Sequence, residues 1–301
     1  MTQRKPPPLS VVVPAFNEEG GVADVVRSIA GVLESSGYEK DAFEILVVDD
    51  GSTDATAARA ESAGARVLRH PHNMGYGKSL LTGFAQTRFD WILMIDADGT
   101  YAAADIPKLL EFAPAFDMVI GARQGTLFWG GLWESFRRKI YLRMAGFVAG
   151  QKLPDANSGI RLLRKNAVER SMPILCYGYS LSTTMTLSFL QAGRFVKFVP
   201  VSYRVRKGKS KVRLLRDVPR TLQIMTQVIL YYNPLKFVVF LCLVPFSVGL
   251  AFAARYCVTH DGKAVYATGA ALVATVACFL IGCLMDSIRL GRRRESDSFR
   301  N

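Results

Sequence analysis

Two aspartates separated by one residue, Asp96 and Asp98, follow an apolar run of the sequence. Both carboxylates can reach one divalent ion where the chain turns, and hard oxygen ligands favour Mg²⁺ or Mn²⁺. Such an ion would neutralise a diphosphate, which is otherwise a poor leaving group. A solvated turn is the alternative for an isolated Asp-x-Asp pair, so the pair indicates a metal site only together with other motifs.

Two further motifs carry residue types that suit a nucleotide. In the segment 49–54 (DDGSTD), a carboxylate can accept hydrogen bonds from a ribose or a base edge, and Gly51 lets the backbone approach a ligand. A helix starting after this segment would attract phosphate at its N-terminus. The segment 73–78 (NMGYGK) places glycines and Lys78 ahead of another helix. A capped turn and a flexible turn are the alternatives for these two segments.

Strands and helices alternate along the front of the chain and must position these motifs. The apolar pattern predicts strands at Leu9–Ala15, Phe43–Asp50, Ala65–Arg69, Trp91–Ile95 and Asp117–Gly121. Helical spacing predicts helices at Asn17–Ser35, from Ser52, at Gly75–Thr87 and at Asp105–Phe112. Such alternation predicts an α/β fold with a doubly wound, mostly parallel sheet, in which ligands bind at the carboxyl ends of the strands.

Composition excludes several classes of protein. The 301 residues include five cysteines without a Cys-x-x-Cys pair and three histidines, which argues against a disulfide framework, a zinc site and a histidine-rich metal centre. Residues 1–130 carry 11 basic and 17 acidic side chains, whereas the remainder carries 27 basic and 8 acidic ones. This asymmetry is not that of a uniformly basic nucleic-acid binder. It indicates a cation site in front and an anionic surface, such as lipid, behind.

Two long apolar segments lie near the C-terminus. Phe237–Ala254 has 18 residues without a charge and Ala264–Met285 has 22, and nine residues, Arg255–Lys263, separate them. These lengths predict transmembrane helices at about 235–255 and 264–288, with two buried helices of a soluble domain as the alternative. The basic residues of the tail 289–301 place that tail and residues 1–233 in the cytoplasm by the positive-inside rule.

Basic residues interleave with apolar ones in two more helical segments. Leu132–Ala149 and Val212–Tyr232 each combine arginines with an apolar face, which suits a helix lying among lipid headgroups. An ordinary surface helix is the alternative. In the second span a stripe of small residues, Ala270, Ala274, Cys278 and Gly282, permits close packing either within the hairpin or in a homo-oligomer. Ordinary span composition would look the same.

Taken in order, the motifs at 12–18 (VVPAFNE), 47–54 (VVDDGSTD), 73–78 and 96–99 (DADG) resemble those of family-2 glycosyltransferases with the GT-A fold, over residues 9–210. The segments 121–123 (GAR), Asp155 with 158–161 (SGIR), and 206–211 (RKGKSK) look like the polyprenyl-phosphate branch. That branch includes dolichol-phosphate mannose synthases and bacterial undecaprenyl-phosphate sugar transferases. Its membrane-anchored bacterial members have C-terminal spans.

The resemblance implies roles for particular residues. Asp96 and Asp98 match a diphosphate–metal motif, and Arg123, Arg206 and Lys211 match basic positions near the donor diphosphate and the acceptor phosphate. A nucleotide-sugar, UDP- or GDP-linked, would be bound by residues at the ends of the strands: Pro14, Ala15, Phe16, Asn17, Glu18, Asp49, Asp50, Gly51, Lys78, Asp96 and Ala97. Two positions depart from the branch, because Thr100 stands where a glutamine often binds metal and Tyr179–Met185 lacks a frequent glutamate.

A lipid phosphate is already anionic near pH 7, so it can attack the anomeric carbon of the sugar without a general base. Asp155 is the one candidate base, and a pairing with Arg161 is its alternative role. The expected function is inverting transfer of a sugar to a polyprenyl phosphate at the cytoplasmic face of a bacterial inner membrane. A glycolipid or polysaccharide acceptor, and a non-catalytic scaffold that binds nucleotide-sugar, remain alternatives. The expected domains are 1–210, 211–233, 234–288 and 289–301.

Overall fold

The computed structural model describes residues 6–171, 181–204 and 214–298. Seven strands form one sheet: β1 (Leu9–Ala15), β2 (Phe43–Asp49), β3 (Arg66–Arg69), β4 (Trp91–Met94), β5 (Met118–Arg123), β6 (Arg161–Arg164) and β7 (Val196–Val201). The helices of the described residues are α1 (Val22–Ser35), α2 (Thr56–Ser62), α3 (Tyr76–Ala85), α4 (Ile106–Leu110), α5 (Thr126–Trp129), α6 (Leu132–Ala149), α7 (Lys165–Ser171), α8 (Leu181–Gln191), α9 (Leu214–Tyr232), α10 (Pro234–Thr259) and α11 (Gly262–Ser298). A 3₁₀ turn, Ala103–Asp105, precedes α4.

The sheet has the strand order β3-β2-β1-β4-β6-β5-β7. All neighbouring strands are parallel except β6, which is antiparallel to both β4 and β5. The carboxyl ends of the six parallel strands therefore lie at one edge. Because β6 runs the other way, its first residue, Arg161, opposite Met94 of β4, lies at that same edge. The loop that leads into β6 is thereby brought to the strand ends.

Helices cover both faces of the sheet, which confirms the doubly wound α/β fold. All seven residues of β1 are buried, and their side chains alternate between the two faces. Val11 and Val13 pack with Val22, Val26, Ile29 and Leu33 of α1, whose spacing marks one face of that helix. Val12 packs on the other face in a cluster with residues of α3 and α8.

Most predicted elements of the front half are observed, but two helices begin later than expected. The prediction of a helix from Asn17 is wrong for Asn17–Gly21, because Asn17 has a left-handed backbone (φ 51°) and α1 starts at Val22. The helix expected from Ser52 starts at Thr56, after an Asp54 side chain that accepts from the Thr56 N–H. The strands β6 and β7 and the helices α7 and α8 were not predicted individually.

The chain divides into two compact units, residues 1–225 and 226–301. In the second unit, α10 and α11 pack side by side as a hairpin, and each is long and apolar enough to cross a membrane, with mean hydropathies of 2.5 and 2.2. In the most apolar stretch of each helix, only 11% is buried inside the structure. These helices confirm the predicted apolar hairpin.

The connection within the hairpin is short. Of the nine residues that separate the two apolar segments, most are helical, because the helices continue past these segments and leave only His260 and Asp261 between them. Of the small-residue stripe, Gly282 packs on Val238, where a Cβ would lie 2.8 Å from the valine Cγ1. Ala270 and Ala274 are exposed, so the stripe divides between the hairpin interface and the outer surface.

Candidate active site at the carboxyl edge of the sheet

Asp96 and Asp98 lie on the turn that follows β4, and both are half-buried. The Asp98 carboxylate accepts hydrogen bonds from the hydroxyl of Thr100 at 2.6 Å and from its N–H at 3.0 Å. Thr100 is buried, so this local turn holds Asp98 in one orientation. The residue that departs from the family pattern therefore acts here as a hydrogen-bond donor to the neighbouring carboxylate.

Asp96 is contacted by two other segments. The hydroxyl of Tyr76, the first residue of α3, donates to Asp96 Oδ1 at 2.9 Å. Gly159 approaches the other oxygen so closely that a Cβ at this position would lie 1.9 Å from Asp96 Oδ2. Burial, with a further contribution from Asp96, raises the pKa of Tyr76 well above its ordinary value, which keeps the phenol protonated as a donor.

The loops after β1 and β2 are bonded to each other. The backbone N–H of Asn17 donates to Ser52 Oγ at 2.9 Å, and Asn17 Oδ1 accepts from the N–H of Thr53 at 3.0 Å. The N–H of Glu18 donates to Thr56 Oγ1 at 2.8 Å. These contacts place the predicted nucleotide residues Asn17 and Glu18 against the 49–54 motif. Pro14 and Ala15 are buried in β1, and Phe16 is half-buried after it.

Asp49 and Asp50 are both buried and support the backbone around them. Asp50 accepts from the backbone N–H groups of Met74 and Gly75 at 2.9 and 2.8 Å, and its Oδ1 lies 2.8 Å from His70 Nδ1. Asp49 Oδ1 accepts from the N–H of Ser52 at 3.0 Å. Asp50 therefore ties the 73–78 segment to the end of β2.

Gly51 packs against the backbone of His72, just before the 73–78 segment. It has φ 73°, and a Cβ there would lie 2.6 Å from the carbonyl carbon of His72. A residue without a side chain is thus needed at this position, both for the backbone conformation and for the close approach. Lys78, in the first turn of α3, is half-buried.

Arg123 and Asp155 form a two-pronged ion pair. Arg123 Nε and Nη2 donate to Asp155 Oδ2 and Oδ1 at 2.7 and 2.9 Å, and the Asp155 side chain is 2% exposed. The guanidinium also lies over the rings of Phe128 and Tyr203, 5.1 and 5.4 Å from their centres. Burial alone would lower the pKa of Arg123, but Tyr101 and Asp155 raise it above its ordinary value, so the side chain stays charged.

Arg161 has a different partner set from the one expected. The alternative of an Asp155–Arg161 hydrogen-bonded pair is wrong, because Asp155 bonds to Arg123. The fully buried Arg161 side chain donates to Ser158 O at 2.9 Å, to Ala156 O at 3.0 Å and to Thr186 Oγ1 at 2.8 Å. Burial lowers the pKa of Arg161, whereas Asp155 acts in the opposite direction. Arg161 thereby holds the loop that carries Asp155 and Gly159 against α8.

The segment after β7 joins the turn of Asp96 and Asp98. Tyr101 and Tyr203 form an isolated antiparallel bridge, and the N–H of Arg204 donates to Thr100 O at 2.9 Å. The chain continues from Arg204 to the predicted phosphate-binding residues Arg206 and Lys211. Both lie outside the described residues.

A cleft of about 670 Å³ opens beside Asp98. Asn17, Glu18, Asp54, Asp98, Tyr101 and Arg204 are among its lining residues. The cleft thus connects one carboxylate of the predicted metal pair with residues predicted to bind nucleotide. The buried Ile29 and Ile95 also line it.

The carboxylate pair fits a divalent cation by the chemistry of its donors. Asp96 and Asp98 supply hard oxygen atoms from one turn. The backbone of residue 159 packs so closely on Asp96 that only glycine fits there. Within the ranges that the structure describes, no group of three or more His, Cys, Asp and Glu side chains could hold a metal. A two-carboxylate site suits Mg²⁺ or Mn²⁺, which are commonly bound by one or two carboxylates together with substrate phosphate oxygens.

A comparison with protein families decides the identity of this domain. The family described as "Glycosyl transferase family 2" matches residues 10–171 of the chain. The chain belongs to glycosyl transferase family 2. The matched range runs from the second residue of β1 to the last residue of α7. It therefore includes the carboxylate turn, the Asn17 and Asp50 loops and the Arg123–Asp155 pair.

Three curated relatives are similar to this family-2 chain. It is 32% identical to the low-salt glycan biosynthesis hexosyltransferase Agl6 of Haloferax volcanii, over 73% of the chain and 53% of that protein. It is 31% identical to an undecaprenyl-phosphate 4-deoxy-4-formamido-L-arabinose transferase of Pseudomonas paraeruginosa, over 60% and 57%. It is 29% identical to a dolichol-phosphate mannosyltransferase of Pyrococcus furiosus, over 68% and 59%. The chain thus aligns with little more than half the length of these relatives.

The fold is shared with a solved structure. Glucosyl-3-phosphoglycerate synthase of Mycobacterium tuberculosis, in complex with Mn²⁺, UDP and glucosyl-3-phosphoglycerate, superposes with a TM-score of 0.53 at 21% identity. The match covers 74% of this chain and 77% of that one. At this identity the likeness establishes the GT-A architecture of the family-2 domain.

Several residues of the site had no predicted role. Tyr76 lies inside the 73–78 motif, but the spacing of that motif does not indicate that its phenol contacts Asp96. Tyr101 follows the DADG segment and accepts from the N–H of Gly159 at 2.7 Å. Gly159 belongs to the quoted SGIR segment, but only the packing of that glycine on Asp96 shows why it is needed.

Proposed function

We propose that this chain transfers a sugar from a nucleotide-sugar to a polyprenyl phosphate at the cytoplasmic face of a membrane. The observation that carries the proposal is the meeting of the Asp96–Asp98 turn and the Arg123–Asp155 pair at one sheet edge, in a chain that also has an apolar helical hairpin. The names of two relatives, an undecaprenyl-phosphate and a dolichol-phosphate sugar transferase, support a polyprenyl phosphate as the acceptor.

Asp96 and Asp98 hold Mg²⁺ or Mn²⁺ in this proposal. The ion supplies neutralisation of the donor diphosphate when it is bound. A Mn²⁺–UDP complex of a protein with the same fold supports this assignment. The nucleotide is a UDP or GDP moiety, which lies against the residues of β1, β2 and Lys78 that were matched to the family motif. Asp50 contributes through the loop that it holds.

The reaction requires little proton transfer from the protein. A phosphate monoester has a second pKa near 6, so the acceptor is largely a dianion at neutral pH. Its oxygen forms a bond to the anomeric carbon while the bond from that carbon to the diphosphate oxygen breaks, which inverts the configuration. The protein aligns the two substrates and stabilises the departing diphosphate. Arg123, Arg206 and Lys211 supply positive charge for the two phosphate groups.

Asp155 positions Arg123 in this mechanism. Both of its oxygens accept hydrogen bonds from Arg123, and Oδ1 also accepts from the N–H of Asn157 at 3.0 Å. A carboxylate bound in this way is a stable anion that orients a guanidinium. We therefore assign the orientation of Arg123 to Asp155 rather than base catalysis.

In this proposal α6 lies at the membrane surface. Large apolar side chains along α6 are exposed: Leu132, Trp133, Phe136, Ile140, Met144 and Phe147. Arginines and a lysine lie among them, at 137, 138, 139 and 143. An exposed apolar stripe with basic neighbours suits the boundary between headgroups and acyl chains. The acceptor phosphate would be presented at that same boundary.

The test is a transfer assay with the full chain in lipid nanodiscs. A panel of UDP- and GDP-sugars is offered with Mn²⁺ and one of three acceptors: undecaprenyl phosphate, dolichyl phosphate or 3-phosphoglycerate. Mass spectrometry should find a sugar on a polyprenyl phosphate and none on 3-phosphoglycerate. Asp98→Asn should reduce turnover by about 10²-fold or more. Asp90→Asn is the matched control and should leave turnover unchanged. Asp90 is exposed and immediately precedes β4, at the end of the strand opposite Asp96 and Asp98.

Failure with every donor, or transfer only to 3-phosphoglycerate, would overturn the proposed acceptor. Nucleotide binding without turnover by the wild-type chain would favour a non-catalytic scaffold instead.

A further inference from the structure

We propose that Tyr76 is a positioning residue for the metal ligand Asp96, and that it links the occupancy of the metal site to the loop 73–78. The inference rests on the proposed function, because it presumes that Asp96 binds a divalent cation. It adds a residue from outside the Asp96–Thr100 turn to the metal site.

The first support is that Tyr76 contacts Asp96 from a partly buried position. It donates its hydroxyl hydrogen to Asp96 Oδ1 at 2.9 Å, and the Ser182 side chain acts on the same phenol electrostatically. Ser182 is 2% exposed and belongs to α8, which is buried against the sheet. The Tyr76 ring itself packs on the apolar cluster formed by α3 and α8. The phenol is thus held from behind by a rigid element.

The second support is the close packing on the opposite side of the carboxylate. Gly159 lies so near Asp96 Oδ2 that a Cβ would collide with it. The Gly159 N–H donates to the hydroxyl of Tyr101, which is buried, so the glycine backbone is also fixed. Asp96 therefore lies between the Tyr76 hydroxyl and an immobilised backbone.

This arrangement has a chemical consequence for a metal ligand. A carboxylate on a strand-end turn can rotate, and hydrogen bonds from outside the ligand set fix the orientation in which it meets the ion. Removal of such a partner typically weakens metal binding about 10–100-fold. Asp98 receives the corresponding bond from Thr100, two residues away. Asp96 receives it from Tyr76, which lies 20 residues away.

Tyr76 also belongs to a segment that another carboxylate holds. Asp50 accepts from the N–H groups of Met74 and Gly75, immediately before Tyr76. Displacement of the loop would therefore move the phenol away from Asp96. In this way the part of the chain assigned to the nucleotide and the part assigned to the metal share one hydrogen-bonded path.

The experiment measures Mn²⁺ binding to the full chain by electron paramagnetic resonance of the free ion, without a donor and then with UDP or GDP. We expect Tyr76→Phe to raise the dissociation constant for Mn²⁺ about 10–100-fold. In the transfer assay the same variant should raise the Mn²⁺ concentration for half-maximal turnover, with a smaller change at saturating Mn²⁺. Ser182→Ala should act in the same direction and more weakly.

Tyr141→Phe is the matched control. Its hydroxyl lies 2.6 Å from Thr183 Oγ1, also on α8, but the residue has no hydrogen bond to Asp96. Loss of this hydroxyl should leave Mn²⁺ binding unchanged while it reports any general loss of stability in thermal unfolding.

Asp96→Asn distinguishes a failure of the metal site from a failure of the positioning role of Tyr76. If Asp96→Asn weakens Mn²⁺ binding and Tyr76→Phe binds like the wild type, the positioning role of Tyr76 is overturned and the metal site stands. If Asp96→Asn itself binds Mn²⁺ like the wild type, the proposed metal site fails. An equal loss of binding in Tyr76→Phe and Tyr141→Phe would also overturn the specific role of Tyr76.

Discussion

Turns of a few residues orient Asp49 and Asp98 on one side of the sheet, whereas Asp155 on the other side is held by a distant residue. On the side of β3, β2, β1 and β4, Asp49 and Asp98 each accept a hydrogen bond from a residue two or three positions later in the chain. On the side of β6, β5 and β7, Asp155 pairs with a residue 32 positions earlier, and Arg161 bonds to a residue 25 positions later. Local turns thus orient Asp49 and Asp98, although other residues of that side also bond over 20 to 35 positions. The contacts of Asp155 and Arg161 require the completed sheet.

The reversed strand β6 explains the difference. In a fully parallel sheet, the loop before a strand lies at the edge opposite the ligand. Since β6 is antiparallel, the loop before it reaches the carboxyl edge and brings Asp155 and Gly159 to β5 and β4. The direction of this single strand therefore decides that the residues before it reach the candidate site.

A substitution at the junction of the two sides should have the largest effect. Gly159→Ala places a Cβ 1.9 Å from Asp96 Oδ2 and must displace either the loop or the carboxylate. We expect turnover to fall about 10²-fold, as for a misplacement of about 1 Å. Gly21→Ala is the control, because its Cβ would meet only Ala97 O at 3.7 Å. Equal kinetics for both variants would contradict the described packing.

A second change tests how firmly the β6 side depends on long-range contacts. Arg161→Lys keeps a buried charge but loses the planar group that reaches Ser158, Ala156 and Thr186. Carbonyl groups left without a donor should lower the free energy of unfolding by about 2–3 kcal/mol. Arg161→Met should cost more, because it leaves the same carbonyl groups without any donor. Chemical denaturation measures both, and the reverse ranking would refute the explanation.

A third change distinguishes the ion pair from base catalysis. Asp155→Asn leaves Arg123 without its carboxylate, and we expect the free energy of unfolding to fall by about 2 kcal/mol. The pH dependence of the remaining turnover should keep the shape of the wild-type profile. Loss of the acidic limb of that profile, with unchanged stability, would instead identify Asp155 as a base.

The smallest effect concerns the local side of the site. Burial by itself would raise the pKa of Asp54, but hydrogen bonds from the hydroxyl and N–H of Thr56 and from Glu19 lower it. A lowered pKa adds stability that is present above the unfolded pKa of about 3.9 and is lost as the pH falls through the folded value. Asp54→Asn should therefore flatten the decline of stability below about pH 4, measured by thermal unfolding. An unaltered decline would show that Asp54 does not contribute.

Local patterns sufficed for much of the fold and for part of the site. The strand at Leu9–Ala15 and the helix at Leu132–Ala149 were predicted with the observed bounds. Elements that begin with polar loops were placed too early, because Asn17 and Asp54 use their side chains to bond loop backbone before the helices start. The domain boundaries and the roles of Arg206 and Lys211 stay predictions.

The sequence by itself determined the α/β alternation, the apolar hairpin and the strand-end carboxylates Asp96 and Asp98. These features are written in residue types and in periods of two or 3.6 residues, which act over short stretches of chain. Only the tertiary structure decided that Asp155 pairs with Arg123 and that Tyr76 meets Asp96. Such contacts join distant residues, so they depend on strand order and direction, which no local pattern specifies.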